Sequence, residues 1–372
     1  MRRVLFLAIF LLSVPAAAHK PSDSYLTLRV EDSMVDVQWD IALRDLEYAV
    51  GIDTNGDGAI TWAELQARHD AIAAYALARL SISAGGERCA STEVGHQVDR
   101  HSDGAYAVLR FAAVCPKKTR AMQARYALFF DLDPLHRGLA RVERGSATRS
   151  LIFSPGQPAQ PLVSGERTLL GEVLDFVREG VWHIWTGFDH VLFLLSLLLP
   201  AVLRREAGSW VPVLGFRQAL WKTLAIVTAF TLAHSLTLTL AALEVVALPS
   251  RWVESAIAVS VVMAALNNVH PVLERRLWTV AFFFGLIHGF GFASVLGDLG
   301  LPRDNLLAAL VSFNLGVEAG QLAIVAALLP LAFGLRQTWL YRRLTLAAGS
   351  LLISAVACVW FFERAFELRL FS

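Results

Sequence analysis

Two sets of residues in this 372-residue chain have the types and spacing to hold a cation. The first is contiguous: Asp53-Thr54-Asn55-Gly56-Asp57-Gly58-Ala59-Ile60-Thr61-Trp62-Ala63-Glu64. Oxygen donors recur at alternate positions, a glycine stands where the chain must turn sharply, and a glutamate closes the run. That is the pattern of the twelve-residue EF-hand loop. In it Asp53, Asn55 and Asp57 give side-chain oxygens, Ala59 its carbonyl, Thr61 a hydroxyl or a bound water, and Glu64 a bidentate carboxylate. Hard oxygens in this number suit Ca2+ as a structural cofactor, a single loop being a poor sensor. The competing explanation is an acidic turn that caps a helix starting at Trp62.

The second set is scattered through apolar segments. Trp182-His183-Ile184-Trp185-Thr186-Gly187-Phe188-Asp189-His190 puts two imidazoles seven residues apart, two turns of a helix, with Gly187 on the same face and Asp189 beside it. His183 is expected at the entrance. A second segment offers Thr231, His234 and Ser235 on one face, a later one Gly285, His288 and Gly289, and the next Asn314, Glu318 and Gln321 along one stripe. Counted from the segment starts at about 1.5 Å per residue, Asp189, His190, His234, His288 and Glu318 all reach the middle or one half of a core about 30 Å thick. Ionisable groups at such depth are costly and tend to mark ion pathways, although a lone histidine in a span is often only hydrogen-bonded to a neighbour. Imidazole with carboxylate suits nickel, cobalt, zinc or ferrous iron. Copper(I) prefers sulfur, and the segments hold only Met263 and Cys358. Haem between two histidines would leave the acidic residues without a role.

The elements that must carry these groups fall into two parts with different patterning. Hydrophobic residues make up 55% of the chain and charged ones 17%, with a mean hydropathy of +0.51, a balance suited to a membrane protein with a soluble part. The net charge of +1 offers no field for phosphates, and neither a phosphate loop nor a dinucleotide fingerprint is present, so nucleic-acid binding and ATP-driven pumping are unsupported. Residues 1–18 read as a signal peptide: Arg2-Arg3, an apolar run too short to span, then Pro15-Ala16-Ala17-Ala18. Cleavage there would make His19 the first residue, its amine and imidazole a weak chelating pair. Residues 19–153 alternate like half-buried strands, with a hairpin turn at Glu31-Asp32-Ser33, a helix from Trp62 to about Leu80, and further strands at Ala105–Val114, Arg125–Asp131 and Arg149–Phe153. This predicts a small exported β-rich (α+β) domain, with Cys89 and Cys115 placed where a disulfide can form. Residues 154–180 read as a linker and pre-membrane segment, opened by three prolines.

From 181 to 372 the chain reads as an α-helical polytopic membrane bundle of about six transmembrane helices, near Val181–Leu203, Gln218–Leu243, Trp252–Val269, Leu277–Gly297, Leu306–Phe333 and Leu344–Phe362. If the β-rich domain is exported, the first, third and fifth connections are cytoplasmic. These carry Arg204, Arg205, Arg217, Lys222, Arg275, Arg276, Arg336, Arg342 and Arg343 against Arg251, Arg303, Arg364 and Arg369 opposite, nine to four, as the positive-inside rule requires. The expected location is the bacterial inner membrane, with both termini periplasmic.

The motifs His183-Ile184-Trp185-Thr186-Gly187-Phe188-Asp189-His190, Phe230-Thr231-Leu232-Ala233-His234-Ser235, Phe284-Gly285-Leu286-Ile287-His288-Gly289-Phe290-Gly291-Phe292-Ala293 and Phe313-Asn314-Leu315-Gly316-Val317-Glu318 resemble the HupE/UreJ family of hydrogenase and urease accessory proteins. The resemblance implies a nickel or cobalt permease rather than an enzyme. It implies metal ligands at His183, Asp189 and His190, with His234, His288 and Glu318 as further pathway residues. Ile184 stands where the family motif commonly has proline, and the β-rich domain exceeds the shorter members. Secondary transport of Ni2+ or Co2+ is therefore the leading expectation, with a periplasmic metal donor or a cytoplasmic metallochaperone as partners. An intramembrane metalloenzyme, or a receptor whose exported domain senses a ligand, are the alternatives.

Overall fold

The computed structural model describes residues 23–92, 94–101, 104–116, 122–145, 147–163, 169–206, 208–246, 248–273, 276–291 and 303–366. The expected signal peptide and His19 lie outside them.

Strict alternation builds the first part. In Met34–Val35–Asp36–Val37–Gln38–Trp39 the odd-numbered side chains are buried, the face a period of two must present to a core. The strands, among the described residues, are β1 (Asp23–Glu31), β2 (Met34–Ala42), β3 (Leu80–Ala84), β4 (Glu87–Arg88), β5 (Ala90–Ser91), β6 (Gly95–His101), β7 (Gly104–Val114), β8 (Met122–Tyr126), β9 (Arg137–Arg144), β10 (Ala147–Phe153) and β11 (Ala159–Pro161). They form one sheet in the order β10-β9-β1-β2-β7-β5, with β6 also on β7, and a second in the order β11-β8-β3-β4. Among the described residues only β1 and β9 of these strands pair in parallel. Leu26, Leu28, Val37, Trp39 and Ile41 of the first sheet share a core with Ile82, Ala124 and Tyr126 of the second. A buried polar chain crosses that core: Trp39 Nε1 donates to Ser24 Oγ (3.1 Å), which bonds the Tyr126 hydroxyl (2.7 Å), which in turn bonds His136 Nε2 (2.5 Å). Cys89 and Cys115 are joined as a disulfide.

Helices α1 (Leu43–Val50), α2 (Trp62–Ala67) and α3 (His69–Leu77) are inserted between β2 and β3. The single helix expected from Trp62 to Leu80 is thus two, broken at Arg68, and Leu80 opens β3. The strand expected at Arg125–Asp131 ends at Tyr126. The apolar run Leu128-Phe129 that mimics its continuation packs into the core as a turn, with Phe129 at φ 55°. Residues 154–161, expected within the linker, include β11, which pairs with β8.

The second part is helical: α4 (Leu169–Thr186), α5 (Phe188–Leu198), α6 (Phe216–Ala242), α7 (Ser250–Val269), α8 (Leu277–Gly289), α9 (Arg303–Leu335) and α10 (Leu346–Phe366), with the hairpin β12 (Leu203–Glu206) and β13 (Ser209–Pro212) between α5 and α6. Among the described residues four helical stretches are long and apolar enough to cross a bilayer, Phe216–Ala242, Ser250–Val269, Leu306–Leu335 and Leu340–Phe366. The pair α4 and α5 qualifies together as a fifth, bent by 69°. The fourth expected span, Leu277–Gly297, lies partly outside the described residues; within them it holds α8, an apolar helix of 13 residues. Exposed Trp221 and Trp278 stand near the starts of α6 and α8, and exposed Trp339 just after α9, a placement suited to aromatic side chains at one bilayer interface.

Close helix approach depends on small residues. A Cβ built on Gly316 of α9 would overlap the Val177 carbonyl oxygen of α4, and one on Gly180 of α4 would overlap that of Phe313, so this pair of glycines lets the two backbones touch.

Candidate metal centre

The first expected span is not a continuous helix. It starts at Leu169, well before Val181, and breaks at Gly187, between His183 and the Asp189-His190 pair. Gly187 is therefore the pivot and not a member of a helical face. A Cβ there would lie 2.7 Å from the His183 carbonyl oxygen and 2.8 Å from His190 Nδ1, which leaves glycine as the residue the corner accepts. The bend brings the His183 and His190 rings to 4.7 Å between centroids, closer than two turns of straight helix, about 11 Å, would allow.

His234 of α6 joins them, its ring 6.2 Å from that of His183 and 6.1 Å from that of His190. Nitrogens of His183, His190 and His234 all lie within 4.8 Å of one another, the one such group of three or more histidine, cysteine or acidic side chains among the described residues. Ligands at about 2.1 Å from a common ion are at most about 4.2 Å apart, so small side-chain rotations close this set on a metal. His183, expected at the entrance, belongs to the cluster itself.

The neighbours of three of the rings decide which nitrogen is left free of a hydrogen bond. Asp189 Oδ1 accepts from the His190 backbone N–H and from His190 Nδ1, both at 2.9 Å. Asn314 of α9 donates its amide to the Leu310 carbonyl (2.8 Å), so its Oδ1 accepts from His234 Nδ1 (3.3 Å). Ser260 of α7 donates its proton to the Ile257 carbonyl (2.7 Å), so its oxygen accepts from His288 Nε2 (2.9 Å). Each ring thus has one nitrogen held by an oxygen acceptor. The other, Nε2 of His190 and His234 and Nδ1 of His288, is buried without a hydrogen-bond partner among the described residues. Oriented imidazoles with a lone pair left over are what a metal ligand set requires. The His288 ring of α8 sits 5.1 Å from that of His190, with Phe193 and Phe230 against it, and extends the trio to a fourth imidazole.

Glu318 is not in this cluster. Its carboxylate accepts from Thr228 (3.1 Å), while Gln321 accepts from Thr231 (3.0 Å). With His234–Asn314 these make a row of polar pairs between α6 and α9 that leads away from the histidines towards the start of α6. Ser260 and Thr228 carried no signal in the sequence, since a serine or threonine in a helix more often returns its hydroxyl to its own backbone.

The loop at 53–64 is wound by its own carboxylates. Asp53 accepts from the amides of Gly56 (2.7 Å) and Gly58 (2.8 Å), Asn55 from that of Asp57 (2.8 Å), and Asp57 from that of Ala59 (2.8 Å). Gly56 and Gly58 take φ of 74° and 81°, open to glycine. Glu64 forms a capping box with Thr61 and also accepts from Thr54. The backbone N–H and hydroxyl of Thr61, then Thr54, hold its carboxyl at about 2, so it is ionised at neutral pH. The oxygen-only donor set fits calcium in kind. Asp53, Asp57 and Glu64 are not gathered as the three imidazoles are, because their oxygens serve the loop's own amides.

The two parts of the molecule meet beside the cluster. Arg137 of β9 reaches Glu179 of α4 at 3.4 Å, one turn before His183, and both side chains are largely buried.

These features define a multi-pass membrane protein with an imidazole cluster inside its helical region. The family model described as HupE / UreJ protein matches residues 161–364, and the chain belongs to that family. The match runs from β11 almost to the end of α10 and leaves the β-rich domain outside it. No curated protein matches the chain.

Proposed function

We propose that the protein is a secondary permease for a divalent transition-metal ion, nickel or cobalt first, in the bacterial inner membrane. The observation that carries this reading is the buried nitrogen left without a hydrogen bond on His190, His234 and His288, each ring held at its other nitrogen by Asp189, Asn314 or Ser260. A bundle of packed helices gains nothing from leaving such atoms unpaired at bilayer depth, whereas a passing cation supplies the missing partner. The ion enters where the β-rich domain meets α4, is held by His183, His190 and His234, and passes His288. From the trio the row Asn314, Gln321 and Glu318 offers oxygens leading towards the start of α6. Arg204, Arg205, Arg217 and Lys222 cluster at that end, which supports reading it as cytoplasmic and the β-rich domain as periplasmic. The membrane potential then drives a divalent cation inward by about 4.6 kcal/mol per 100 mV. The test is accumulation of labelled nickel, cobalt and zinc by cells or vesicles with the wild-type chain, against a His190→Ala/His234→Ala double variant present in equal amount. Equal accumulation would remove the reading.

Calcium is the proposed resident ion of the β-rich domain, held by Asp53, Asn55, Asp57, the Ala59 carbonyl, Thr61 and Glu64. Its role there is structural: it ties the end of α1 to the start of α2.

A further inference from the structure

The β-rich domain contains a second histidine pair that neither the loop nor the transport path uses. His69 is the first residue of α3 and His96 lies in β6, so the pair exists only because the inserted helices fold back onto the sheet. Their Nδ1 atoms are 2.8 Å apart, and the two rings are half-buried. The edge of Trp62, the first residue of α2, packs on the His96 ring with centroids 6.3 Å apart.

Two imidazoles can approach through a shared proton or through a shared metal. Both rings here present the same nitrogen, Nδ1, to one another. With metal–nitrogen bonds of about 2.05 Å, a separation of 2.8 Å subtends about 85° at the ion. Two ligands at the tetrahedral angle would stand about 3.3 Å apart, and two cis ligands of a square-planar or octahedral ion about 2.9 Å. The geometry points to a second metal site in the β-rich domain: we propose that His69 and His96 bind, through their two Nδ1 atoms, a divalent first-row ion that favours cis right-angled coordination, nickel(II) or copper(II). The half-exposed side of the pair leaves room for water to complete the shell. This site is independent of the intramembrane cluster and does not rest on the transport reading.

The experiment uses the full chain in detergent carrying His190→Ala and His234→Ala, which removes the intramembrane trio, in excess calcium so that the loop does not compete. Equilibrium dialysis against Ni2+ should retain one ion per chain. Adding His69→Ala should weaken that binding at least tenfold, with the thermal midpoint in chelator unchanged because His69 is half-exposed at a helix start. His96→Phe, which keeps an aromatic ring against Trp62, should do the same. No retained nickel in the parent, or nickel retained equally after both substitutions, would overturn the site and leave an ordinary shared-proton contact. Either of those results leaves the uptake test of the intramembrane cluster untouched.

Discussion

Asp189 touches the proposed ion only through His190, which makes Asp189→Asn the most discriminating perturbation of the transport site. The carboxylate oxygen accepts from His190 Nδ1 at 2.9 Å, and crossing the ring and one metal–nitrogen bond puts its charge roughly 7 Å from the ion. At an effective dielectric of about 20, a single negative charge at that distance stabilises a divalent cation by about 5 kcal/mol. Asparagine keeps an oxygen at the acceptor position, and the surroundings relax, so that figure is an upper bound. Removing such an orienting partner from a metal-bound histidine ordinarily costs 10–100-fold in affinity, about 1.4–2.7 kcal/mol. Asp189→Asn should therefore raise the nickel concentration for half-maximal uptake by about that factor, with the protein still folded and inserted. His190→Ala, which deletes the ligand, should abolish uptake. A purely structural Asp189–His190 pair gives a different pattern, in which any loss of uptake follows loss of protein from the membrane. Uptake of labelled nickel, cobalt and zinc, normalised to membrane protein, separates the two. Normal uptake of all three metals by both variants would refute a metal role for this corner.

Further outcomes follow from other parts of the molecule. Glu64→Gln removes the carboxylate that closes the loop as its bidentate position, so calcium should raise the thermal midpoint of the wild-type β-rich domain and leave the variant's unchanged. In chelator, the stability Glu64 contributes is complete above its ordinary value of 4.5 and is lost as pH falls from 4.5 towards 2, so Glu64→Gln should flatten the acid limb of a denaturation curve in that window. Gly316→Val places a side chain against the Val177 carbonyl and should cost about 1–3 kcal/mol or more by forcing α9 from α4, read as a lower midpoint in detergent and a matching loss of metal retention. A reporter fused after Ser209 should report cytoplasm and one after Leu248 periplasm, and the reverse result would invert the direction of the whole path.

The limits of sequence reading are clearest at the corner that builds the cluster. Asp189 and His190 stand out in the sequence because ionisable groups inside an apolar run do, and the disulfide was legible because Cys89 and Cys115 are the two cysteines of the β-rich part. The bend at Gly187 was not, since a glycine in an apolar segment fits a close helix contact as well as a break. Helical spacing then put His183 two turns from His190, in the role of an entrance, whereas the break puts the two rings in contact. That Glu318 stands apart from the imidazoles was not legible for a related reason. Depth along each helix could be estimated, but which partner a carboxylate meets depends on how helices rotate against one another, and that is set by crossings such as Gly180 on Gly316. Ser260 lay beyond reach altogether, because its role rests on a hydrogen bond to Ile257 that fixes its oxygen as an acceptor for His288. The same dependence supplies a test. If Ser260 sets the tautomer of His288, Ser260→Ala removes the acceptor, frees the ring to turn and should weaken uptake severalfold, whereas Ser260→Thr keeps the hydroxyl and should restore it. A serine that only fills space would show neither the loss nor the rescue, and His288 would then lose its claim to a place on the path.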